Sequence, residues 1–206
     1  MSDRSRYAIL LDGGFVIKKL QQQLKRFPNA DDVEQLCSGI MGHAHLANKE
    51  LLRCYFYHAP PAEGDLINPL DKSKLQLGNS PVFRNHTSLM GKLELKPNFA
   101  LRLGETVVHE WRLGTAAMRA LMGSPRAIQA QDLVPNIQQK GVDLRIGLDI
   151  ARLALRELVG AVVVVTGDSD LIPAFKFARR EGVRVYLETL GHGVRRDLKA
   201  HVDIIL

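Results

Sequence analysis

The stretch that decides the fold runs from Ala161 to Leu187, AVVVVTGDSDLIPAFKFARREGVRVYL. Its opening run, Ala161–Val165, is apolar at every position, which fits a strand buried on both faces. The chain then turns at Thr166-Gly167-Asp168-Ser169-Asp170. Leu171–Arg180 follows at helical spacing with Phe175 inside it, Gly182 ends that helix, and Val183–Leu187 reads as another buried strand. A strand, a helix and a strand in that order form a unit whose strands lie parallel, with the turn at their C-terminal edge. Two carboxylates one residue apart at that edge repel each other, and no neighbouring residue supplies an obvious cation.

The same grammar recurs outward from this unit. Tyr7–Leu11 is a short apolar run that stops at Asp12-Gly13-Gly14, and Phe15–Leu24 has helical periodicity. Asp31-Asp32 reads as the cap of a second helix through Met41, and Leu51–His58 as a second core strand stopped by Pro60-Pro61. Residues 60–80 read as loop and 82–95 as weakly helical. Residues 97–113 suggest two extended segments around Gly104, a strand and its return. Residues 114–138, interrupted by Pro125 and Pro135, show no pattern. From Lys140 to Val159, Leu144, Leu148, Ile150, Leu153, Ala154 and Leu158 recur at helical spacing. Gly191–Gly193 makes a turn, 194–201 a short helix and 204–206 a last short strand. The expected fold is α/β: a parallel sheet with helices on both faces. One domain, 1–206, is expected, with an insert of uncertain structure over about 60–138.

Composition bounds the class. The chain has 206 residues, 46% of them hydrophobic, and a formal net charge of +6. No apolar run approaches the ~20 residues that span a bilayer, so no membrane partner is expected and the cytoplasm is the expected compartment. The N-terminal run lacks a small-residue cleavage site and reads as a first strand. Two cysteines, Cys37 and Cys54, lack metal-ligand spacing and read as buried thiols. The basic balance favours a polyanionic partner, nucleic acid first. Homodimerisation is left open.

The acids form the chemical signal. Asp12 ends the first strand, Asp168 and Asp170 follow strand 161–165, and Asp143 opens the helix leading into that strand. If the two strands are neighbours, these carboxylates share one edge, and their repulsion is costly unless a cation lies among them. A hard divalent ion, Mg²⁺ or Mn²⁺, fits oxygen ligands. Such an ion can polarise a phosphodiester, activate a water and stabilise the leaving oxygen. The plainer roles are helix caps for Asp12 and Asp168 and a helix-dipole role for Asp143. Asp149 lies six residues past Asp143, ~120° around the helix, and reaches the edge only if the helix start is distorted. Lys140, Arg195 and Arg196 are candidates for weak substrate-phosphate contacts; a solvated face is their plainer reading. The seven histidines show no metal spacing.

Two rival chemistries fail on spacing. A haloacid-dehalogenase-type phosphatase needs a nucleophilic Asp two residues before Asp12, where Leu10 stands. A dinucleotide fingerprint at Gly191-His192-Gly193 needs glycine at position 196, where Arg196 stands.

LLDGGF at 10–15, KGVDLRIGLDIARLAL at 140–155 and TGDSDLIPAFKFARREGVRV at 166–185 resemble the NYN-domain proteins, in the LabA-like branch of the PIN-like nucleases. LELKPNFALRLGE at 93–105 and KAHVDIIL at 199–206 are similar to that family too. The resemblance implies a Rossmann-like, PIN-like sheet and Mg²⁺- or Mn²⁺-dependent hydrolysis of phosphodiesters, usually in RNA. It carries the acidic centre, catalytic and metal-binding, onto Asp12, Asp143, Asp168 and Asp170. Phe15 and Val16 stand where many relatives carry asparagine. No added RNA-binding module is expected, so substrate selection is expected from this domain or a partner. The alternative is a regulatory module on the same fold that binds RNA or protein without cutting.

Overall fold

A computed structural model describes residues 5–206. In chain order the elements are β1 (Arg6–Asp12), α1 (Gly13–Leu24), α2 (Ala30–Met41), β2 (Glu50–His58), β3 (Asp65–Ile67), β4 (Lys74–Gln76), α3 (Pro81–Glu94), β5 (Phe99–Leu103), β6 (Glu105–Leu113), α4 (Thr115–Gly123), β7 (Leu133–Lys140), α5 (Val142–Leu155), β8 (Ala161–Val165), α6 (Ile172–Arg180), β9 (Arg184–Glu188), α7 (Arg196–Ala200) and β10 (Ile204–Ile205). Contacts divide the chain into two compact units. The first holds the described residues up to His58, Ser88–Gly104 and Gly141–Leu206; the second holds Ala59–Thr87 and Glu105–Lys140.

The first unit is a Rossmann-like α/β layer structure. Its six-stranded sheet has the order β10-β9-β8-β1-β2-β5, and every pairing is parallel. Strand side chains alternate between two cores. Ile9, Leu11, Val163 and Val165 pack with Val16, Ile17 and Leu20 of α1, Val33 and Cys37 of α2 and Leu93 of α3. Ala8, Leu10, Val162 and Val164 pack with Ile146, Ile150 and Leu153 of α5, Phe175 of α6 and Leu198 of α7. The chain leaves β1 toward β2 and β5 on one side, and toward β8, β9 and β10 on the other. Crossovers of one hand moving in opposite directions put their helices on opposite faces. β1 and β8 meet where the direction reverses, which is where ligand crevices open in such sheets.

The second unit contains more order than its sequence suggests. β3 pairs with β4 antiparallel, and β6 pairs with β7 antiparallel with a bulge between Val108 and Trp111. The Trp111 indole N–H donates to the Ile67 carbonyl at 2.8 Å. Asp132, almost wholly buried, takes both guanidinium arms of Arg126 at 2.6 and 2.7 Å and the Gln129 amide at 2.8 Å. The Arg126 bond is the main reason its carboxyl is held well below the usual carboxylate range. Short strands joined by side-chain clamps leave no periodicity to read.

Several expectations change in detail. Asn29, not Asp31 or Asp32, caps α2: it accepts from the Asp32 amide, and Asp32 closes the box while gripping Arg26. The segments around Gly104 are not a strand and its return, because β5 joins β2 in parallel while β6 pairs with β7. Leu144 and Leu148 of α5 lie outward, at 65% and 59% exposure, whereas Ile146 and Ile150 fill the core. The apolar stripe on that helix is wider than the face it buries. Cys37 and Cys54 are buried free thiols, as expected.

Candidate metal centre

Asp12 is the last residue of β1 and the N-cap of α1. The helix can start at once because Gly13 carries no side chain: a Cβ there would stand 2.5 Å from the Tyr57 carbonyl oxygen and 2.9 Å from the Phe56 ring. Asp12 Oδ1 accepts from the Phe15 amide at 3.2 Å, and its Oδ2 accepts from the Thr166 hydroxyl at 3.0 Å. Thr166 is fully buried just beyond β8 and accepts in turn from the Asp168 amide at 3.1 Å. Asp168 Oδ1 accepts from the Asp170 amide at 2.9 Å. One hydrogen-bonded line thus joins Asp12 to the turn that carries Asp168 and Asp170. Asp12 fulfils its capping role and leaves its second oxygen on this line.

Asp143 arrives from a different direction. Gly141 has φ +73°, a left-handed conformation open to glycine, and starts α5 so that Asp143 falls in its first turn. The electrostatics link the acids. Burial raises the Asp12 carboxyl above its ordinary value; the Phe15 and Thr166 hydrogen bonds pull it down, and repulsion from Asp143 and Asp168 pushes it further up. Asp143 is raised first by desolvation and then by repulsion from Asp168 and Asp170. It remains solvent-exposed, so water screens part of that repulsion. Asp143 thus feels the charges of Asp168 and Asp170, and Asp12 those of Asp143 and Asp168.

The remaining candidates divide. Asp149 already has partners: its Oδ2 accepts from the Tyr57 hydroxyl at 2.9 Å and pairs with Arg102 Nε at 2.9 Å. Burial and the Asp149 charge both raise the Tyr57 hydroxyl well above its usual value. Lys140 ends β7 in the second unit and is exposed. Arg195 and Arg196 are exposed at the start of α7, with Arg195 Nε 3.9 Å from Asp197. The sequence reading missed Thr166, since one hydroxyl beside a valine run has no spacing signal. It also missed a rim beside Gly167, where Phe15 and His192 lie with ring centres 6.0 Å apart and Lys19 Nζ is 3.1 Å from His192 Nδ1. Lys19 and His192 are 173 positions apart, so only folding brings them together.

The carboxylate edge lies at the switch point of a parallel sheet, and part of its sequence resembles a known family. Residues 114–203 match the NYN domain family. NYN domains belong to the PIN-like superfamily and are generally nucleases. The matched NYN stretch includes Asp143, Asp149, Asp168 and Asp170, and Asp12 lies outside it. A crystal structure of a protein of unknown function from Vibrio parahaemolyticus is similar in fold, with TM-score 0.53 and 15% identity, over 100% of this chain and 94% of that one. No curated protein matches this sequence significantly. Among the described residues, no helix is long and apolar enough to cross a membrane.

Among the described residues, no three His, Cys, Asp or Glu side chains are arranged to enclose an ion by themselves. Mg²⁺ does not require such a cage; it keeps several waters and commonly takes only one or two carboxylates. An all-oxygen donor set held in mutual repulsion suits Mg²⁺ or Mn²⁺ and does not suit a soft metal.

Proposed function

We propose that this chain is an NYN-domain protein of the LabA-like branch and a divalent-metal-dependent ribonuclease, hydrolysing phosphodiester bonds at the edge of β1 and β8. The observation that carries the reading is the joint electrostatics of Asp12, Asp143, Asp168 and Asp170. Asp12 and Asp143 are both raised, in part by the charges of the other acids. Uncompensated carboxylates at one edge cost free energy, which a divalent cation recovers.

In this reading Asp12, Asp143, Asp168 and Asp170 hold Mg²⁺ or Mn²⁺, some through water. A bound ion supplies Lewis-acid polarisation of the phosphodiester and makes water more acidic. Thr166 fixes the rotamer of Asp12 and the turn bearing Asp168, so the donors need little rearrangement. Lys19 and His192 at the rim face the incoming phosphate backbone, with Arg195 and Arg196 as weaker phosphate contacts. Asp149 is a positioning residue that ties α5 to β2 and β5.

The test is degradation of a mixed RNA pool by the wild type, Asp12→Asn and Asp168→Asn, with Mg²⁺, Mn²⁺, Ca²⁺ or EDTA. Cleavage is expected with Mg²⁺ or Mn²⁺, weakly with Ca²⁺, and not with EDTA or either variant. Equal cleavage by all three proteins would remove catalysis from this edge. RNA that binds yet stays intact with every ion would favour the non-catalytic binding module.

A further inference from the structure

A nuclease whose reactive edge is acidic has a physical difficulty: those carboxylates repel the polyanion wherever an ion does not cover them. Binding strength must come from cations placed elsewhere. A concentration of such cations lies at the far end of α6. An open cleft of ≈ 430 Å³ is lined by Lys176, Arg179, Arg180 and Arg184, with Asp203 as its one lining carboxylate. Its volume falls in the range of small-ligand sites.

The cleft is more than a set of solvated side chains. Arg179 is fixed in place, with Nε 3.1 Å from Asp203 and a terminal nitrogen 3.4 Å from the Ala200 carbonyl. That pair consumes the carboxylate. Lys176, Arg180 and Arg184 form no salt bridge among the described residues. The C-terminus of α6 contributes about −0.5 charge there, which accounts for Arg179 and Arg180 in its last turn. It does not account for Lys176 or for Arg184, which comes from β9. Three unpaired cations exceed that partial charge, and the cleft remains attractive to an anion.

The geometry connects the cleft to the acidic edge. α6 follows directly on the turn Ser169-Asp170-Leu171 and ends at Arg180. Pro173, Lys176 and Arg180 are exposed at helical spacing along α6 and form a ridge from that turn to the cleft. Nine helical residues cover ~13 Å, about four stacked nucleotides at ~3.4 Å each.

We propose that the cleft of Lys176, Arg179, Arg180 and Arg184 is a second phosphate-binding subsite, which holds an RNA strand about four nucleotides from the acidic edge. The proposal rests on the nucleic-acid reading of that edge but not on cleavage. The cleft sets a minimum substrate length: a strand too short to reach it gains nothing from these cations.

The test measures binding with Ca²⁺ in place of Mg²⁺, so that an ion covers the acidic edge while cleavage stays weak. Single-stranded RNAs of about 3 and about 12 nucleotides are titrated against wild type, Arg180→Glu/Arg184→Glu and Lys92→Glu/Arg156→Glu, the last matching the charge change at exposed positions elsewhere. The cleft variant is expected to bind the longer RNA roughly tenfold more weakly, with a salt slope smaller by about 1.4 for two lost phosphate contacts. Its binding of the short RNA should match that of the control variant. Arg180→Gln/Arg184→Gln should weaken the longer RNA in the same direction, and circular dichroism checks that both variants fold. Equal loss in the cleft and control variants, or equal loss for both RNA lengths, overturns the subsite. So does cleft-dependent binding to phosphatidylserine vesicles without cleft-dependent binding to RNA. If the wild type cleaves RNA and the cleft variant binds normally, the subsite falls and the nuclease reading stands. If nothing is cleaved but the length-dependent loss appears, the outcome is reversed.

Discussion

Thr166→Val offers the sharpest test of how the acidic edge is held. Valine keeps the β-branched shape, so a fully buried site gains no cavity and the change is confined to polar terms. The hydroxyl donates to Asp12 Oδ2 at 3.0 Å and accepts from the Asp168 amide at 3.1 Å. A hydrogen bond to a charged acceptor contributes about 1.5–3 kcal/mol, and the stranded amide adds about 1 kcal/mol because Asp168 is only partly buried. The expected loss at neutral pH is therefore about 2.5–4 kcal/mol. The pH dependence is specific. The folded Asp12 carboxyl already lies above its ordinary value, so the folded state holds the proton more tightly than the unfolded chain does. Stability from this group falls as pH rises from the unfolded value to the folded one, and is level above that. Removing the Thr166 hydrogen bond raises the folded value further. The penalty of the variant should grow through the carboxylate range, from about 1 kcal/mol near pH 4 to its full size near pH 7. Urea midpoints at several pH values, with unchanged m, measure it. In an Asp12→Asn background the penalty should shrink, because the charged acceptor is gone. A loss below about 0.5 kcal/mol at neutral pH, or one that ignores both pH and the Asp12 background, refutes the reasoning.

Three further outcomes are expected. Gly13→Ala should cost about 3 kcal/mol or prevent folding, read as a fall in Tm, because the new methyl meets the Tyr57 carbonyl at 2.5 Å. Arg102→Met should cost about 2 kcal/mol by leaving Asp149 partly buried without its cation, yet leave the Mg²⁺-induced rise in Tm intact; loss of that rise would make Asp149 part of the metal centre. Mg²⁺ at about ten times its Kd should add about 1.4 kcal/mol, or ~3–6 °C in Tm, near pH 7.5. That gain should shrink toward pH 5, since raised carboxyls at Asp12 and Asp143 keep protons that compete with the ion. No metal-dependent shift at any pH would count against the centre.

By itself the sequence determined the parallel sheet. Five apolar residues at Ala161–Val165 can be satisfied only by burial on both faces, and the helical spacing around them supplies the covers. It also pointed to Asp12, Asp168 and Asp170, which follow buried strands, and to Asp143, which opens a helix, because such placements are local features that spacing reveals. Folding decided the rest. The neighbouring of β1 and β8 lets Thr166 reach Asp12 across 154 positions, and folding brings Asp149 to Tyr57 and Arg102, 92 and 47 positions away. Folding likewise brings the cations of α6 and β9 to one cleft, where Arg179 pairs with Asp203. Periodicity reports which side of an element is apolar; it carries no information about which distant partner a single polar atom will meet.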